Sequence, residues 1–250
     1  MKHFRWTRRA ALLGTALAAF CALAAPDVQA QAVHAIVTTP VGNDGVEALA
    51  TQFGTWHRAG WVSKLKVLQA VPQQRQSPGF SGLALVTLRS PFAYRAWRAE
   101  AERLLGTGAA VREAKMVRNE GRSGDPARAL YVANFYAPKI SPGEYQTYTE
   151  RYIAPNMNHQ RQAGIMSRYT MYLEQGTAGR ALLVQEYVDE KAFASSAEVK
   201  KSGKEKLMQD PEWKRINDTK DALRDDISST LAKEVLPDGR PSYSTLCGGC

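Results

Sequence analysis

The sequence is poor in the residues that build metal and nucleophilic sites. It has three cysteines and four histidines among 250 residues, and a four-thiolate zinc site alone would need more cysteines than these. It contains no glycine-rich phosphate loop, no GxSxG nucleophile motif and no HExxH zinc motif. These absences exclude the commonest nucleotide-binding, hydrolase and zinc-peptidase classes, and we predict no metal site.

The chain also lacks a basic stripe of the kind that nucleic acids require. The formal net charge is +9, but charges of both signs are mixed, as in Lys200, Lys201, Lys204, Glu205 and Lys206. A nucleic-acid surface instead concentrates lysine and arginine on one face. We therefore predict no nucleic-acid partner.

One long apolar run is present, and it lies at the start of the chain. Basic residues from Lys2 to Arg9 precede the uncharged run Ala10–Ala25, and small residues follow as far as Ala30. The run is shorter than the roughly 20 residues of a membrane span, and its flanks are typical of a bacterial signal peptide. We predict a signal peptide over residues 1–30 and a periplasmic or secreted mature protein without a membrane span. An uncleaved anchor is the alternative, and the Arg8-Arg9 pair leaves the export route open between the secretory and twin-arginine systems.

Two cysteines close the chain as Cys247-Gly-Gly-Cys250, within a tail over residues 237–250 that begins with proline, aspartate and glycine. In an oxidising compartment such a pair is expected to form a local disulfide. A redox, metal-binding or intermolecular role is the alternative, because a CxxC pair exchanges disulfides and binds soft metals.

A repeated pattern divides the remainder of the chain. The segment Ala59–Lys64 (AGWVSK) recurs as Ala163–Arg168 (AGIMSR), and the apolar run Leu83–Val86 has a counterpart in Ala181–Val184. Each run is followed by a helix-start signal, Ser90-Pro91 in the first half and Asp189 in the second, and Asp210 is predicted to cap a later helix of the second half. The sequence therefore predicts two copies of one unit.

The elements in each copy read as strand, helix, strand, strand, helix and strand, which is the ferredoxin-like order. A single unit of this kind exposes one face of its sheet, and a fused second unit can cover that face. We predict an α+β fold with two tandem ferredoxin-like repeats packed sheet to sheet as a barrel-like core. The repeats span residues 31–118 and 130–236, with a charged, Gly- and Pro-containing linker over residues 119–129.

Motifs in the second copy resemble a known family. They are the predicted helix residues Glu144–Tyr152 (EYQTYTERY), the Ala163-Gly164 turn, and Asp210–Trp213 (DPEW). The sequence resembles the dimeric α/β-barrel superfamily, most closely its NIPSNAP-like and EthD-like branches. That resemblance implies the barrel fold, and it makes haem a candidate cofactor, because the superfamily includes cofactor-free oxygenases, haem-binding enzymes and isomerases. A fold of this breadth does not choose among activities.

The predicted helix over residues 142–163 carries the main candidate site. Tyr145, Tyr148, Tyr152 and His159 are spaced by three, four and seven residues, and Asn156 falls on the same line, so an uninterrupted helix places them on one face. Such a face offers an apolar wall with polar tips for an aromatic ligand. We predict that the tyrosines and Asn156 bind ligand and that His159 is catalytic, as a general base or haem ligand. The alternative is that the tyrosines only pack on the sheet.

Polar residues on two predicted strands form a second candidate group. Arg168 and Tyr172 share one face of their strand, and Glu186 lies on the next strand. If both faces point into the barrel, Arg168 and Glu186 are placed to pair there, whereas the alternative is a surface ion pair. We predict that Arg168 contributes to ligand binding.

Together these features predict an exported α/β-barrel protein that binds a small apolar or aromatic molecule. The first alternative is a cofactor-independent oxygenase or haem-using enzyme of the same superfamily. The second is an interaction protein that acts through its Cys-Gly-Gly-Cys tail. The sequence predicts neither the ligand nor the oligomeric state.

Overall fold

The computed structural model describes residues 32–40, 46–71, 79–106, 108–176 and 179–236. The predicted signal peptide and the tail with Cys247 and Cys250 lie outside the described residues. Within the described ranges, no helix combines the length and apolar character that a membrane span requires.

The first half follows the predicted element order. Its elements are β1 (Val33–Thr39), α1 (Val46–Arg58), β2 (Val62–Ala70), β3 (Gly82–Leu88), α2 (Pro91–Leu105) and β4 (Ala110–Gly121). The start of α2 is fixed because the Ser90 side chain accepts a hydrogen bond from the Ala93 amide at 3.1 Å and proline occupies the first turn.

The second half repeats the order with a divided set of helices. Its elements are β5 (Leu130–Pro138), α3 (Pro142–Tyr148), a π-helical turn (Thr149–Ile153), α4 (Ala154–Gln162), β6 (Met166–Glu174), β7 (Ala181–Tyr187), α5 (Glu190–Ala194), α6 (Ser196–Leu207), α7 (Pro211–Leu223) and β8 (Arg224–Val235). Asp210 caps α7 by accepting hydrogen bonds from the amides of Glu212 and Trp213, as the sequence predicts.

The eight strands form a closed barrel in the order β1-β3-β2-β8-β5-β7-β6-β4. Each half contributes four neighbouring strands in the same ferredoxin-like order, and the halves are hydrogen-bonded to each other at β2·β8 and β4·β6. The predicted α+β fold with ferredoxin-like units is confirmed. The two sheets meet edge to edge, because this pairing satisfies the backbone groups of the edge strands, and their inner faces enclose a common interior.

Side chains on alternate positions of the strands fill different layers. Along β5, Tyr131, Ala133 and Phe135 belong to the barrel interior, whereas Leu130 and Val132 pack against the helices of the second half. This alternation is the one expected from the sequence. The sheet of the second half is therefore covered on both faces, by the barrel interior and by helices.

The two halves share local details at the start of their second strands, β2 in the first half and β6 in the second. Helices α1 and α4 are both followed by a glycine with positive φ, Gly60 at 79° and Gly164 at 75°, the usual conformation at a helix end. A β-bulge follows in each case, and the hydroxyl groups of Ser63 and Ser167 donate to a carbonyl of the next strand at 2.9 and 3.1 Å. The recurring AGxxS segment thus forms the same turn twice.

Strand β4 is longer than the sequence predicts. It continues to Gly121, three residues into the predicted linker over residues 119–129, and Asn119 and Glu120 pair with Thr170 and Tyr169 of β6. The polar composition of this segment indicates a loop, but the segment forms part of the seam that closes the barrel. A partner strand some 50 residues further along the chain therefore determines its conformation.

The predicted continuous helix over residues 142–163 is interrupted by the π-helical turn at Thr149–Ile153. Its hydrogen bonds span five residues instead of four, so the turn holds one extra residue. Every later residue is rotated by about 100° from its place in an uninterrupted α-helix, which has 3.6 residues per turn. The predicted alignment of His159 with the tyrosines is therefore wrong.

Candidate functional site

A cavity of about 510 Å³ lies between the outer face of the second-half sheet and the helices that cover it. We call it the outer cavity. Val132, Leu183 and Leu231 of the sheet form an apolar floor, and Met157 of α4 and Phe193 of α5 add apolar walls. Its volume falls in the range of pockets that bind small organic ligands.

Two cations line the outer cavity. Arg224 is largely buried, its guanidinium carbon lies 3.7 Å from the centroid of the Tyr136 ring, and its nearest carboxylate, at 3.6 Å, belongs to the exposed Asp226. Lys200 forms no ion pair within the described ranges, its Nζ lies 5.7 Å from the centroid of the Tyr187 ring, and burial lowers its pKa. Among the residues that the structure describes, no aspartate or glutamate lines this cavity. The cavity therefore favours a ligand with a negative charge.

Amide groups supply further polar contacts at the outer cavity. Asn134 donates to the Gln185 side-chain oxygen at 3.2 Å, and Gln185 donates to the Met157 sulfur at 3.1 Å. Asn156 also lines the cavity, where its oxygen accepts from Gln160 at 3.5 Å. These bonds hold polar groups at fixed positions beside the apolar floor.

Only part of the predicted tyrosine face lines the outer cavity. Tyr145, Tyr148 and Tyr152 form a ladder with ring centroids 5.4 and 5.2 Å apart, which continues to Trp213 at 4.8 Å. Tyr152 lines the cavity together with Asn156, whereas Tyr145 and Tyr148 are buried beside it. The ladder therefore forms a rigid support behind the wall of the cavity.

His159 does not join these residues. It is not among the residues that line the outer cavity, and its ring lies against Gly203 of α6, where an added Cβ would come within 2.5 Å of the imidazole. Gln160 instead occupies the buried position, and its side-chain oxygen accepts a hydrogen bond from the Tyr187 hydroxyl at 3.1 Å. The π-helical turn explains this exchange, because it moves the role of residue 159 to residue 160.

The outer cavity does not fit a haem group. A haem protein needs an axial ligand such as histidine, cysteine, methionine or tyrosine, and no histidine or cysteine of the described ranges lines the cavity. The Tyr152 hydroxyl is already bonded to Asn217 at 3.1 Å, the Met157 sulfur accepts from Gln185, and the Arg224 guanidinium covers the Tyr136 ring. The same ranges contain no cluster of three or more potential metal ligands among histidine, cysteine, aspartate and glutamate.

A second cavity, of about 350 Å³, lies at one end of the barrel interior. We call it the barrel-end cavity. At its side, Lys66 Nζ lies 2.7 Å from the Tyr131 hydroxyl, 3.2 Å from Glu186 and 3.1 Å from Glu234, and the Tyr131 hydroxyl donates to Glu234 at 2.6 Å. Burial, followed by the charges of Glu234 and Glu186, raises the pKa of Tyr131. Tyr131 is therefore a neutral hydrogen-bond donor at physiological pH.

Arg168 lines the barrel-end cavity and not the outer cavity. Although Arg168 and Glu186 are paired across β6 and β7, they form no ion pair, because Glu186 binds Lys66 of the other half. Arg168 instead donates to Asn119 at 2.7 Å and to Ser123 at 2.8 Å. The predicted ligand-binding residues are thus divided between two cavities on opposite faces of the same sheet.

Sequence reasoning missed five charged residues at these cavities, namely Lys64, Lys66, Glu234, Lys200 and Arg224. Lys66 offered a signal, since it lies between Leu65 and Val67 in a β-rich run, but a charged residue there equally suits a solvent-facing strand position. Lys200 is embedded in a run of alternating charges that reads as a solvated helix surface. Tertiary contacts alone distinguish it from its neighbours.

Comparison with known proteins supports the fold. No family model and no curated protein matches the sequence. Among solved structures, the chain is similar to an anthrone oxidase-like protein, with 11% identity, a TM-score of 0.57, and coverage of 82% of this chain and 91% of the other. It is also similar to a monooxygenase-like protein from Lactobacillus acidophilus NCFM, with 8% identity, a TM-score of 0.50, and coverage of 81% and 93%.

These likenesses show that other solved proteins share the α+β barrel architecture. At such identities they establish the architecture, and they leave the activity to be argued from the cavities.

Proposed function

We propose that this is an exported binding protein for a small aromatic molecule that carries an anionic group, held in the outer cavity. One observation carries the proposal: a cavity with an apolar floor contains Arg224 and Lys200 but no carboxylate among the described residues. An aromatic body suits the apolar floor. A phenolate, enolate or carboxylate would gain charge-assisted hydrogen bonds from the two cations.

We predict that the protein binds alizarin, a three-ring hydroxyanthraquinone, and shifts its visible absorption toward that of the phenolate. The shift is expected because Arg224 and Lys200 stabilise the ionised form. Replacing either cation by glutamine should weaken binding by about tenfold, the effect of losing one hydrogen bond to a charged group. Titration followed by visible absorption measures both the affinity and the ionisation.

Lys201→Gln is the matched control, because Lys201 lies beside Lys200 on α6 but is exposed, and we expect it to bind alizarin normally. The proposal fails if alizarin does not bind, or if Arg224→Gln and Lys200→Gln bind it as tightly as Lys201→Gln does.

A second candidate function, oxygenation without a cofactor, is supported by Lys200. Burial lowers the pKa of this lysine, and a neutral amine is a general base. An activated methylene group between aromatic rings would give a proton to Lys200, and Arg224 would stabilise the enolate oxygen. Dioxygen would then accept the electrons, so that the methylene group and one dioxygen give a carbonyl group and one water. The fold likeness to an anthrone oxidase-like protein suggests the substrate class.

This second function is tested with anthrone in the same variants. If it holds, the protein accelerates dioxygen consumption above the rate without protein, and the rate increases as the pH is raised through the lowered pKa of Lys200. Lys200→Gln should lower the rate by about 100-fold or more, the usual contribution of a general base, while alizarin affinity falls only about tenfold. A protein that binds alizarin without accelerating anthrone oxidation is a binding protein.

We also propose that the chain arose by duplication and that residues 1–30 direct export. The shared strand order and the two equivalent AGxxS turns support the duplication, and the basic and apolar N-terminal pattern supports export. Amino-terminal sequencing of periplasmic protein should give Gln31 or a close neighbour, and an intact Met1 would contradict export. The NIPSNAP-like affinity and the disulfide of Cys247 and Cys250 remain predictions from the sequence.

A further inference from the structure

The barrel-end cavity contains a tyrosine hydroxyl that no residue of the described ranges binds. Tyr172 lines the cavity and is nine-tenths buried as a residue, but its hydroxyl is not one of the fully enclosed side-chain atoms that lack a partner, so the open space of the cavity reaches it. The hydroxyl can both donate and accept a hydrogen bond. A ligand atom in the cavity is therefore placed to bind it.

Both carboxylates of this cavity have hydrogen-bond donors, whereas two of its cations have no ion-pair partner. Its two carboxylates already have donors: Glu186 binds Lys66, the Gly124 amide and Ser167, and Glu234 binds Lys66 and Tyr131. Lys64 and Arg168 also line the cavity, and neither forms an ion pair with a carboxylate of the described ranges. The unmatched charge at the cavity is therefore positive.

The remaining lining residues suit the apolar faces of an aromatic ring. Leu85 and Val184 are buried apolar residues on facing parts of the lining, and Met116 lies beside them. His34 contacts the Tyr172 ring edge-on, with ring centroids 5.8 Å apart, and shares a hydrogen bond with Thr87. The imidazole adds no strong charge to this end, because burial and then the charge of Lys64 lower its pKa.

We propose that the barrel-end cavity is a second binding site, specific for a single-ring aromatic acid with a second polar group opposite its carboxylate. Arg168 binds the carboxylate, Lys64 adds positive charge to the lining, and the Tyr172 hydroxyl binds the far polar group. Arg168 and Tyr172 share one face of β6 and are four residues apart, about 13 Å along the strand. Two long side chains reaching across that distance leave room for one ring between them. The site is separate from the outer cavity, since the sheet lies between them.

The probe is para-hydroxybenzoate, compared with benzoate, which lacks the far polar group, and para-hydroxybenzyl alcohol, which lacks the carboxylate. Isothermal titration of the full chain should show the tightest binding for para-hydroxybenzoate. Tyr172→Phe should weaken its binding by about fivefold and leave benzoate unchanged, because only one neutral hydrogen bond is lost. Arg168→Gln should weaken both acids by at least about tenfold.

Two further variants make the result decisive. Lys64→Gln, at an exposed position, should weaken both acids severalfold, and it remains informative if Arg168→Gln does not fold. Arg224→Gln reports on the outer cavity. The proposal is overturned if para-hydroxybenzoate does not bind, if Tyr172→Phe weakens the two acids equally, or if Arg224→Gln removes binding while Lys64→Gln and Arg168→Gln do not. None of these outcomes depends on whether alizarin binds in the outer cavity.

Discussion

Lys66→Met is expected to lower the free energy of unfolding by about 3 kcal/mol, because it leaves two carboxylates inside the barrel without their shared cation. Removing one partner of a buried ion pair typically costs 3–5 kcal/mol, and the lower end applies here since 21% of the Lys66 side chain is exposed. Glu186 keeps its bonds to Gly124 and Ser167. Urea denaturation at neutral pH measures the loss.

Adding Glu234→Gln to Lys66→Met should recover part of the stability, because a neutral amide does not need a cationic partner. Arg98→Met is the control, since the Arg98–Glu102 pair is nearly half exposed on both sides, and such pairs contribute about 0.5 kcal/mol or less. A Lys66→Met protein as stable as Arg98→Met would show that the interior charges do not support the barrel.

The ion pair also shows why part of the structure was beyond sequence reasoning. The inward direction of Tyr131 follows from strand alternation, and the possible inward direction of Glu186 follows from the pattern of its own strand. The identity of the Glu186 partner does not follow from any local pattern, because Lys66 lies 120 residues away in the chain. Lys66 reaches Glu186 only through the β2·β8 seam. Local patterns determine which face a residue occupies, whereas the closure of the barrel determines which residue it meets.

The helices show the same limit. Ser90 and Asp210 predict helix starts correctly because a capping side chain bonds to amides two or three residues away. Pro155 signals an interruption near the π-helical turn, because it lacks the amide of an interior helical residue, but it does not predict that the turn holds one extra residue. A 3.6-residue period counted through it aligns His159 with the tyrosines, although the turn directs Gln160 to that position. The ligand-binding role of Tyr152 and Asn156 therefore retains structural support, whereas the catalytic role of His159 has none at the outer cavity.

Tyr148→Ala is expected to cost about 3–5 kcal/mol of unfolding free energy, the usual cost of truncating a packed aromatic residue. Tyr148 is 4% exposed and its ring contacts both Tyr145 and Tyr152, so its loss leaves a void in the middle of the ladder. Tyr148→Phe should instead be neutral or slightly stabilising, because the hydroxyl is buried and has no hydrogen-bond partner among the described residues.

His159→Ala should change stability by less than about 1 kcal/mol, since the ring is partly exposed and forms no hydrogen bond within the described ranges. Urea denaturation of the three variants, with alizarin titrations of those that fold, separates a supporting ladder from a reactive histidine. Loss of alizarin binding or anthrone oxidation in His159→Ala, with stability unchanged, would restore His159 to the site and contradict the placement given by the π-helical turn.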